Sequence, residues 1–197
     1  MKFVVGLTGK MGSGKSTVAS ILKEFGAKVI NVDLIGHSVL SNEKVKDSLK
    51  KIFGESIFLK NQIDRKKLAR VVFSDLNKLS SLEKIVHPLI RIEVEKQVES
   101  SDGLIVIDAA ILHRLKLDKI CDIVILIKSP EDKIIHRLRE KGMNEEEIRE
   151  RLMAQHDIVE TDLVIVNDSD LLDLRRKIKN FYNEVIKSKL YHSTGEV

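Results

Sequence analysis

The residues best suited to chemistry stand near the start of the chain, in the run Gly-Lys-Met-Gly-Ser-Gly-Lys-Ser at positions 9–16. This run matches the pattern G-x-x-x-x-G-K-[ST], which is typical of loops that bind nucleoside triphosphates. Its glycines let the backbone curl so that successive N–H groups point at the β-phosphate, and the following helix adds its positive N-terminal dipole. Lys15 would bridge the β- and γ-phosphates, and Ser16 would ligate Mg²⁺.

Most of the residues predicted to bind the nucleotide form one contiguous group around this loop. They are Gly9, Lys10, Met11, Gly12, Ser13, Gly14, Lys15, Ser16 and Thr17. The alternative is a glycine-rich turn between a strand and a helix that binds nothing. The complete pattern, in that strand-to-helix context, argues against this alternative.

A carboxylate and an imidazole follow the second predicted strand, residues 28–32. Asp33 lies at its carboxyl end, where α/β sheets place ligands. There it could accept the proton of an attacking hydroxyl or hold Mg²⁺ through water, or it could cap the helix that begins at Leu34. His37 comes one turn later, on roughly the same face as Asp33, and taken alone it reads as a polar surface residue.

Short apolar runs alternate with helical periodicity, and this alternation predicts the elements that must position the loop. The predicted strands are residues 3–7, 28–32, 104–107, 123–127 and 163–166. The predicted helices are residues 15–25, one capped by Ser129 with Pro130 in its first position, one capped by Asn144, and residues 170–189. The alternation favours an α/β fold with a mostly parallel sheet. Residues 34–102 show mainly helical periodicity and predict an insertion that covers one end of the sheet.

The composition excludes several classes of protein. The chain has 197 residues, of which 43% are hydrophobic and 32% charged, a globular rather than a disordered balance. A single cysteine excludes an intramolecular disulfide and favours a reducing compartment. The net charge of +4 suits a small polyanionic substrate and is too weak to indicate nucleic acid. Without a predicted signal peptide or membrane span, a soluble cytoplasmic protein is expected.

A triphosphate-binding loop does not by itself identify a reaction. A GTP switch would need an Asn-Lys-x-Asp guanine reader, but Asn77-Lys78 is followed by Leu79-Ser80. A short chain with a helical insertion therefore favours a small-molecule kinase. Two alternatives stay open: a kinase of the same fold acting on another hydroxyl or a nucleoside monophosphate, and a non-catalytic nucleotide-binding module whose insertion docks a partner.

An ordered set of motifs resembles the dephospho-CoA kinase family. The matching segments are residues 6–17 with the phosphate loop, 29–37 with Asp33, 82–88 with a His-Pro element, 151–155 with Arg-x-x-x-Gln, and 162–167 with Asp-x-Val-Ile-x-Asn. The similarity runs from residue 6 to about residue 178 in the family's order. The phosphate loop alone is generic, whereas the ordered set is specific.

The resemblance implies transfer of the ATP γ-phosphoryl to the 3′-hydroxyl of dephospho-CoA, with Mg²⁺ as cofactor, giving CoA. It implies a P-loop kinase core, a mostly parallel five-stranded sheet flanked by helices, at residues 1–33 and 103–197. A helical acceptor-binding insertion would occupy residues 34–102, and a lid would span about 137–155. ATP and dephospho-CoA would be the partners, without nucleic acid or membrane, and the oligomeric state stays open.

The same resemblance implies roles for individual residues. Asp33 would be the general base, and His37 would lie on the acceptor side with it. His87 would belong to the acceptor pocket, although a histidine before proline is as readily a buried structural residue. Asn167 would lie near the adenine, or would be a loop asparagine in a turn. Asp108, at the end of the third predicted strand, would lie on the acceptor side and could support Mg²⁺ or a water.

Arginines of the lid would close over the γ-phosphate, because the guanidinium fork meets two oxygens at once. Residues two apart on a helix point to nearly opposite sides, so one arginine of each pair, 137 or 139 and 149 or 151, faces the nucleotide. Arg137 and Arg151 are predicted to do so, the latter because it shares a helical face with Gln155. The bland alternative for any one of them is a solvated, salt-bridged helix.

Two departures from the family pattern bear on these roles. The family's second lid arginine is here Lys141, which supplies charge without bidentate geometry, and the loop to Asn144 is one residue shorter. The family's Pro-Leu-Leu-Phe-Glu stretch after the third strand is replaced by Ala-Ile-Leu-His-Arg at residues 110–114. The shape of the acceptor pocket is therefore expected to differ there.

Overall fold

A computed structural model describes residues 2–153, 155, 159, 161 and 163–191. Ala154 of the predicted lid, Asp162 of the last motif, Met1 and residues 192–197 lie outside the described residues. By backbone contacts the chain divides into two units. The first combines Met1–Asn31 with Glu95–Val197, and the second is Val32–Val94.

The helices and strands follow one another in the following order along the chain. The strands are β1 (Lys2–Thr8), β2 (Lys28–Asn31), β3 (Phe58–Leu59), β4 (Gln62–Ile63), β5 (Gly103–Asp108), β6 (Ile123–Lys128) and β7 (Leu163–Val166). The α-helices are α1 (Lys15–Glu24), α2 (Val32–Leu40), α3 (Glu43–Phe53), α4 (Arg65–Phe73), α5 (Leu76–Glu99), α6 (Glu131–Glu140), α7 (Glu145–Met153), α8 (Leu171–Phe181) and α9 (Lys187–Tyr191). Among the described residues, no helix is long and apolar enough to cross a membrane.

The first unit is built on a five-stranded sheet in the order β2-β5-β1-β6-β7, in which every neighbouring pair is parallel. The predicted α/β fold with a mostly parallel sheet is therefore confirmed. The register places Asp108, the last residue of β5, opposite both Leu7 of β1 and Asn31 of β2. Because all strands run the same way, their carboxyl ends meet at one edge.

Alternating side chains of the central strands form the core. Val5, Leu7 and Val106 are fully buried and pack with apolar residues of α1 and α8 on one face. Their neighbours Ile105 and Ile107, which point to the other face, are also fully buried. A strand buried on both faces reads as a continuous apolar run, which explains why the sequence pattern found these strands.

The ends of several elements differ from the sequence prediction. Strand β2 ends at Asn31, because Val32 already opens α2. The N-cap of α6 is Pro130 rather than Ser129, whose hydroxyl instead bonds to distant groups. The predicted helix 170–189 is interrupted by a π-helical stretch, Tyr182–Ile186. Asn144 does cap α7 as predicted, accepting from the N–H of Glu147 at 2.9 Å.

The second unit is mainly helical, with α2, α3, α4 and most of α5. The sequence pattern missed a small antiparallel hairpin of β3 and β4, whose turn residues Lys60 and Asn61 both have positive φ. Pro88 lies inside α5, where it removes one backbone hydrogen bond of the helix. The last turn of α5 belongs to the first unit.

Candidate active site

The glycine-rich loop connects β1 to α1 at the carboxyl edge of the sheet. Gly14 is the N-cap of α1 and has a φ of 104°, a left-handed conformation that favours glycine. No described side chain caps this helix end, and no acidic residue lies in its first turn. The N-terminus of α1 therefore presents backbone N–H groups and a positive dipole to an anion.

The ammonium group of Lys15 is held inside the curl of this loop. Lys15 is only 9% exposed, and its Nζ donates to the carbonyl oxygens of Gly9 at 2.9 Å and Lys10 at 3.2 Å. Bonds to backbone carbonyls keep a positive charge fixed beside the loop amides. A phosphate bound in the loop would compete with these carbonyls for the ammonium group.

Ser16 and Asp108 form a hydrogen-bonded pair next to the loop. The hydroxyl of Ser16 donates to Oδ2 of Asp108 at 2.9 Å, and Asp108 is 6% exposed at the end of β5. The described residues hold no cluster of three or more His, Cys, Asp or Glu that could bind a metal by itself. One hydroxyl and one carboxylate suit Mg²⁺, which is held by few protein oxygens and keeps phosphate and water ligands.

The arginines of α6 separate as helical geometry requires. Nη1 of Arg137 donates to the carbonyl oxygen of Gly12 at 3.2 Å and to Oγ of Ser129 at 3.0 Å. Arg139, two residues later, points away and pairs with Glu145 at 2.9 Å. Arg137 is therefore the arginine of this pair that contacts the phosphate loop.

The α6–α7 segment (residues 131–153), which contains most of the predicted lid, has a small apolar core of its own. Ile134 and Leu138 of α6 pack with Ile148 of α7, and Met11 of the phosphate loop packs against this cluster. The loop and the α6–α7 segment are therefore in direct contact through Met11. This contact involves residues far apart in the chain, so no local pattern could have predicted it.

Gln155 adds a polar contact between the same two parts. Its Oε1 accepts a hydrogen bond from the backbone N–H of Met11 at 2.8 Å. Helix α7 ends at Met153, and Gln155 lies in a turn, so the expectation that Arg151 and Gln155 share a helical face is wrong. Arg151 itself lies in the last turn of α7 and is partly exposed.

Asn167 follows β7 and lies against the phosphate loop. It is 6% exposed, and its side-chain Nδ2 donates to the carbonyl oxygen of Ser13 at 2.8 Å. The approach is so close that a Cβ on Gly14 would stand 2.3 Å from Nδ2. Asn167 is thus more than a turn-forming residue, because its amide packs directly on the loop backbone.

Three predicted acceptor residues lie in the second unit. Asp33 and His37 are exposed and one turn apart on α2, and His87 is partly buried on α5. Desolvation lowers the pKa of His37, the nearby Arg65 cation lowers it further, and the Asp33 carboxylate opposes both. The surroundings of His37 therefore favour the neutral form of its imidazole.

The stretch that departs from the family pattern, residues 110–114, forms turns after β5. Leu112 is fully buried, which shows that this segment is anchored by its apolar side chain. Nδ1 of His113 lies 3.8 Å from Oδ2 of Asp118.

Cys121 is no candidate nucleophile, because burial raises the pKa of its thiol to about 12.

The parallel sheet, the phosphate loop before α1 and the α6–α7 segment that contacts this loop have the architecture of a P-loop nucleotide-binding protein. Similarity to kinases of this class makes the chain an ATP-dependent kinase. A family model described as dephospho-CoA kinase matches residues 3–173. The chain therefore belongs to the dephospho-CoA kinase family.

Individual relatives and solved structures are similar to this chain over most of its length. A dephospho-CoA kinase of Fusobacterium nucleatum is 34% identical over 185 residues, which cover 90% of this chain and 96% of the relative. A crystal structure of TT1252 from Thermus thermophilus has a TM-score of 0.78 at 29% identity, covering 93% of this chain and 98% of that one. A dephospho-CoA kinase from Campylobacter jejuni has a TM-score of 0.68 at 26% identity, covering 96% and 100%.

Proposed function

We propose that this protein transfers the γ-phosphoryl group of ATP to the 3′-hydroxyl of dephospho-CoA and so forms CoA. The observation that carries the proposal is the family match over residues 3–173, because it spans both the nucleotide loop and the helical insertion. A phosphate loop alone would support any P-loop enzyme, whereas this match also covers the part of the chain that would select the acceptor.

The loop residues would bind the triphosphate. The uncapped N-terminus of α1 and the buried ammonium group of Lys15 supply positive charge to the β- and γ-phosphates. Ser16 and Asp108 would hold Mg²⁺, which neutralises charge on the β- and γ-phosphates when it is bound. Their hydrogen bond keeps the hydroxyl oxygen of Ser16 next to the carboxylate of Asp108.

The acceptor hydroxyl would attack the γ-phosphorus of ATP. A bond forms between the 3′-oxygen and the γ-phosphorus while the bond from that phosphorus to the β–γ bridging oxygen breaks, leaving ADP. Asp33 would take the proton of the hydroxyl, a role that its exposed carboxylate and its place two residues after β2 support. His37 and His87 would contribute to binding of the acceptor.

Positive charge is needed around the equatorial oxygens of the transferred phosphoryl group and the departing β–γ bridging oxygen. Arg137 and Arg151 would share this work with Lys15, and Lys141 would supply charge where the family has a further arginine. The guanidinium of Arg137 has five N–H donors, so its bonds to Gly12 and Ser129 leave it able to meet a phosphoryl oxygen as well.

We expect the enzyme to work in the cytoplasm, where its buried thiol stays reduced.

The test is an initial-rate assay of ADP formation from MgATP with a panel of acceptors. The panel contains dephospho-CoA, a nucleoside monophosphate and no acceptor, and a Lys15→Ala protein measures the background. A rate that rises only with dephospho-CoA supports the proposal. A rate that rises with the nucleoside monophosphate would keep the kinase class and reject the acceptor, while ADP binding without turnover on dephospho-CoA would reject the proposed reaction.

A further inference from the structure

We propose that Ser129 is a positioning residue that sets the direction of the phosphate-loop amides. Its hydroxyl donates to the backbone carbonyl oxygen of Asn167 at 2.7 Å and accepts from Nη1 of Arg137 at 3.0 Å. Ser129 thus joins two residues that both contact the phosphate loop from outside. The inference needs nucleotide binding at this loop and is independent of the acceptor's identity.

The two partners of Ser129 hold successive carbonyls of the loop. Arg137 donates to the carbonyl oxygen of Gly12 at 3.2 Å, and Asn167 donates through Nδ2 to that of Ser13 at 2.8 Å. In a planar trans peptide the C=O and the following N–H point in opposite directions. Holding the carbonyl of Ser13 outward therefore turns the N–H of Gly14 toward the inside of the loop, where a phosphate would bind.

Asn167 is itself fixed from two sides. Its backbone N–H donates to the carbonyl oxygen of Lys128 at 2.8 Å, and its own carbonyl receives the Ser129 hydroxyl. These bonds attach β7 to the end of β6, next to the loop. Without the hydroxyl of Ser129, the carbonyl of Asn167 and the guanidinium of Arg137 would each lose a partner.

The packing around the loop shows why these contacts leave little freedom. A Cβ on Gly12 would lie 3.1 Å from Leu138 and 3.2 Å from Ile134, so α6 stands directly against the loop. A Cβ on Gly14 would overlap the amide of Asn167. The glycines therefore permit the approach of α6 and Asn167, and Ser129 connects the two approaching groups.

The test compares Ser129→Ala with Ser129→Thr, which keeps the hydroxyl, by calorimetric binding of ADP without acceptor. Losing two hydrogen bonds predicts about tenfold weaker ADP binding for Ser129→Ala, and Ser129→Thr recovers most of it. In turnover, the KM for ATP rises while the KM for the acceptor stays unchanged. Ser100→Ala is the matched control, because its exposed hydroxyl bonds only locally, to the carbonyl of Gln97.

A melting curve of each ligand-free variant separates positioning from general stability. A Ser129→Ala protein that still melts in one cooperative transition, at most a few degrees below wild type, and binds ADP more weakly supports the proposal. Ser129→Ala with wild-type ADP affinity would overturn it, as would a Ser129→Thr protein that binds as weakly as Ser129→Ala. If Ser129→Ala does not fold, Asn167→Asp tests the contact between Asn167 and the loop. The new carboxylate would face the carbonyl oxygen of Ser13 and repel it, so ADP binding must weaken. Unchanged ADP binding would reject the proposal.

Discussion

The phosphate-loop region of the first unit and helix α2 of the second unit differ in how far their polar side chains are exposed to solvent. Lys15, Asp108 and Asn167 are buried, and each is bonded to neighbouring protein groups. Asp33 and His37 are exposed on α2. The groups around the phosphate loop are therefore held in place by the fold itself, whereas the carboxylate of Asp33 and the imidazole of His37 are open to solvent.

The largest expected effect comes from removing the buried cation of the phosphate loop. Lys15→Ala should lower kcat/KM by about 10³-fold, because a charge stabilising the transferred phosphoryl is lost, and should also weaken ADP binding. Steady-state kinetics and calorimetry measure both. Lys23→Ala, an exposed lysine at the end of the same helix, is the control. A loss in Lys15→Ala no greater than in the control would contradict an organised nucleotide side.

The second-largest effect distinguishes Asp33 of α2 from the residues of the phosphate loop. Asp33→Asn should lower kcat by about 10²-fold, because the proposed proton acceptor is lost. Its ADP affinity should stay within about twofold of wild type, as for other exposed substitutions. Single-turnover rates and ADP titrations test this, with Asp47→Asn of α3 as the exposed acidic control. Wild-type turnover in Asp33→Asn would remove that residue from the mechanism.

A smaller effect concerns the contact between the α6–α7 segment and the loop. Gln155→Ala removes the acceptor of the Met11 N–H and should raise the KM for ATP about three- to tenfold. The KM for the acceptor should not change, because the contact is to the nucleotide loop. Gln62→Ala, at an exposed position of the hairpin, serves as the control. An unchanged KM for ATP would mean that this bond does not order the loop.

The smallest effect is a pH dependence of stability at His37. The folded-state pKa of His37 is below its ordinary value, so between the two pKa values the folded protein binds fewer protons than the unfolded chain. Stability therefore falls as pH drops through that window. Between about pH 8 and pH 5.5, His37→Gln should lose slightly less melting temperature than wild type. If the melting temperature of His37→Gln falls as much as that of wild type, or more, protonation of His37 does not destabilise the folded protein.

Much of the nucleotide side was predictable because its signals are local. The loop at residues 9–16 is contiguous, and strands buried on both faces appear as unbroken apolar runs. The sequence pattern also indicated that Arg137 and Arg139 point to opposite sides, which the structure confirms. The roles proposed for Asp33, His37 and His87 stay predictions.

The contacts that hold the loop were not predictable from local patterns. Ser129 reads as a helix cap in the sequence, yet its hydroxyl bonds to Asn167, a partner 38 residues away. Asn167 reaches Ser13 across 154 residues, and Gln155 reaches Met11 across 144. Such contacts depend on the order of strands in the sheet, which one-dimensional periodicity does not contain.

The proposed reaction is tested most directly by identifying the product formed from dephospho-CoA and MgATP. The expected product is heavier by one phosphoryl group, attached at the 3′-oxygen, and forms in an amount equal to the ADP released. Mass spectrometry and phosphorus NMR together establish the mass and the position. The proposed function would be contradicted if the protein binds ADP but leaves dephospho-CoA unchanged, or if the phosphoryl group is attached at another oxygen.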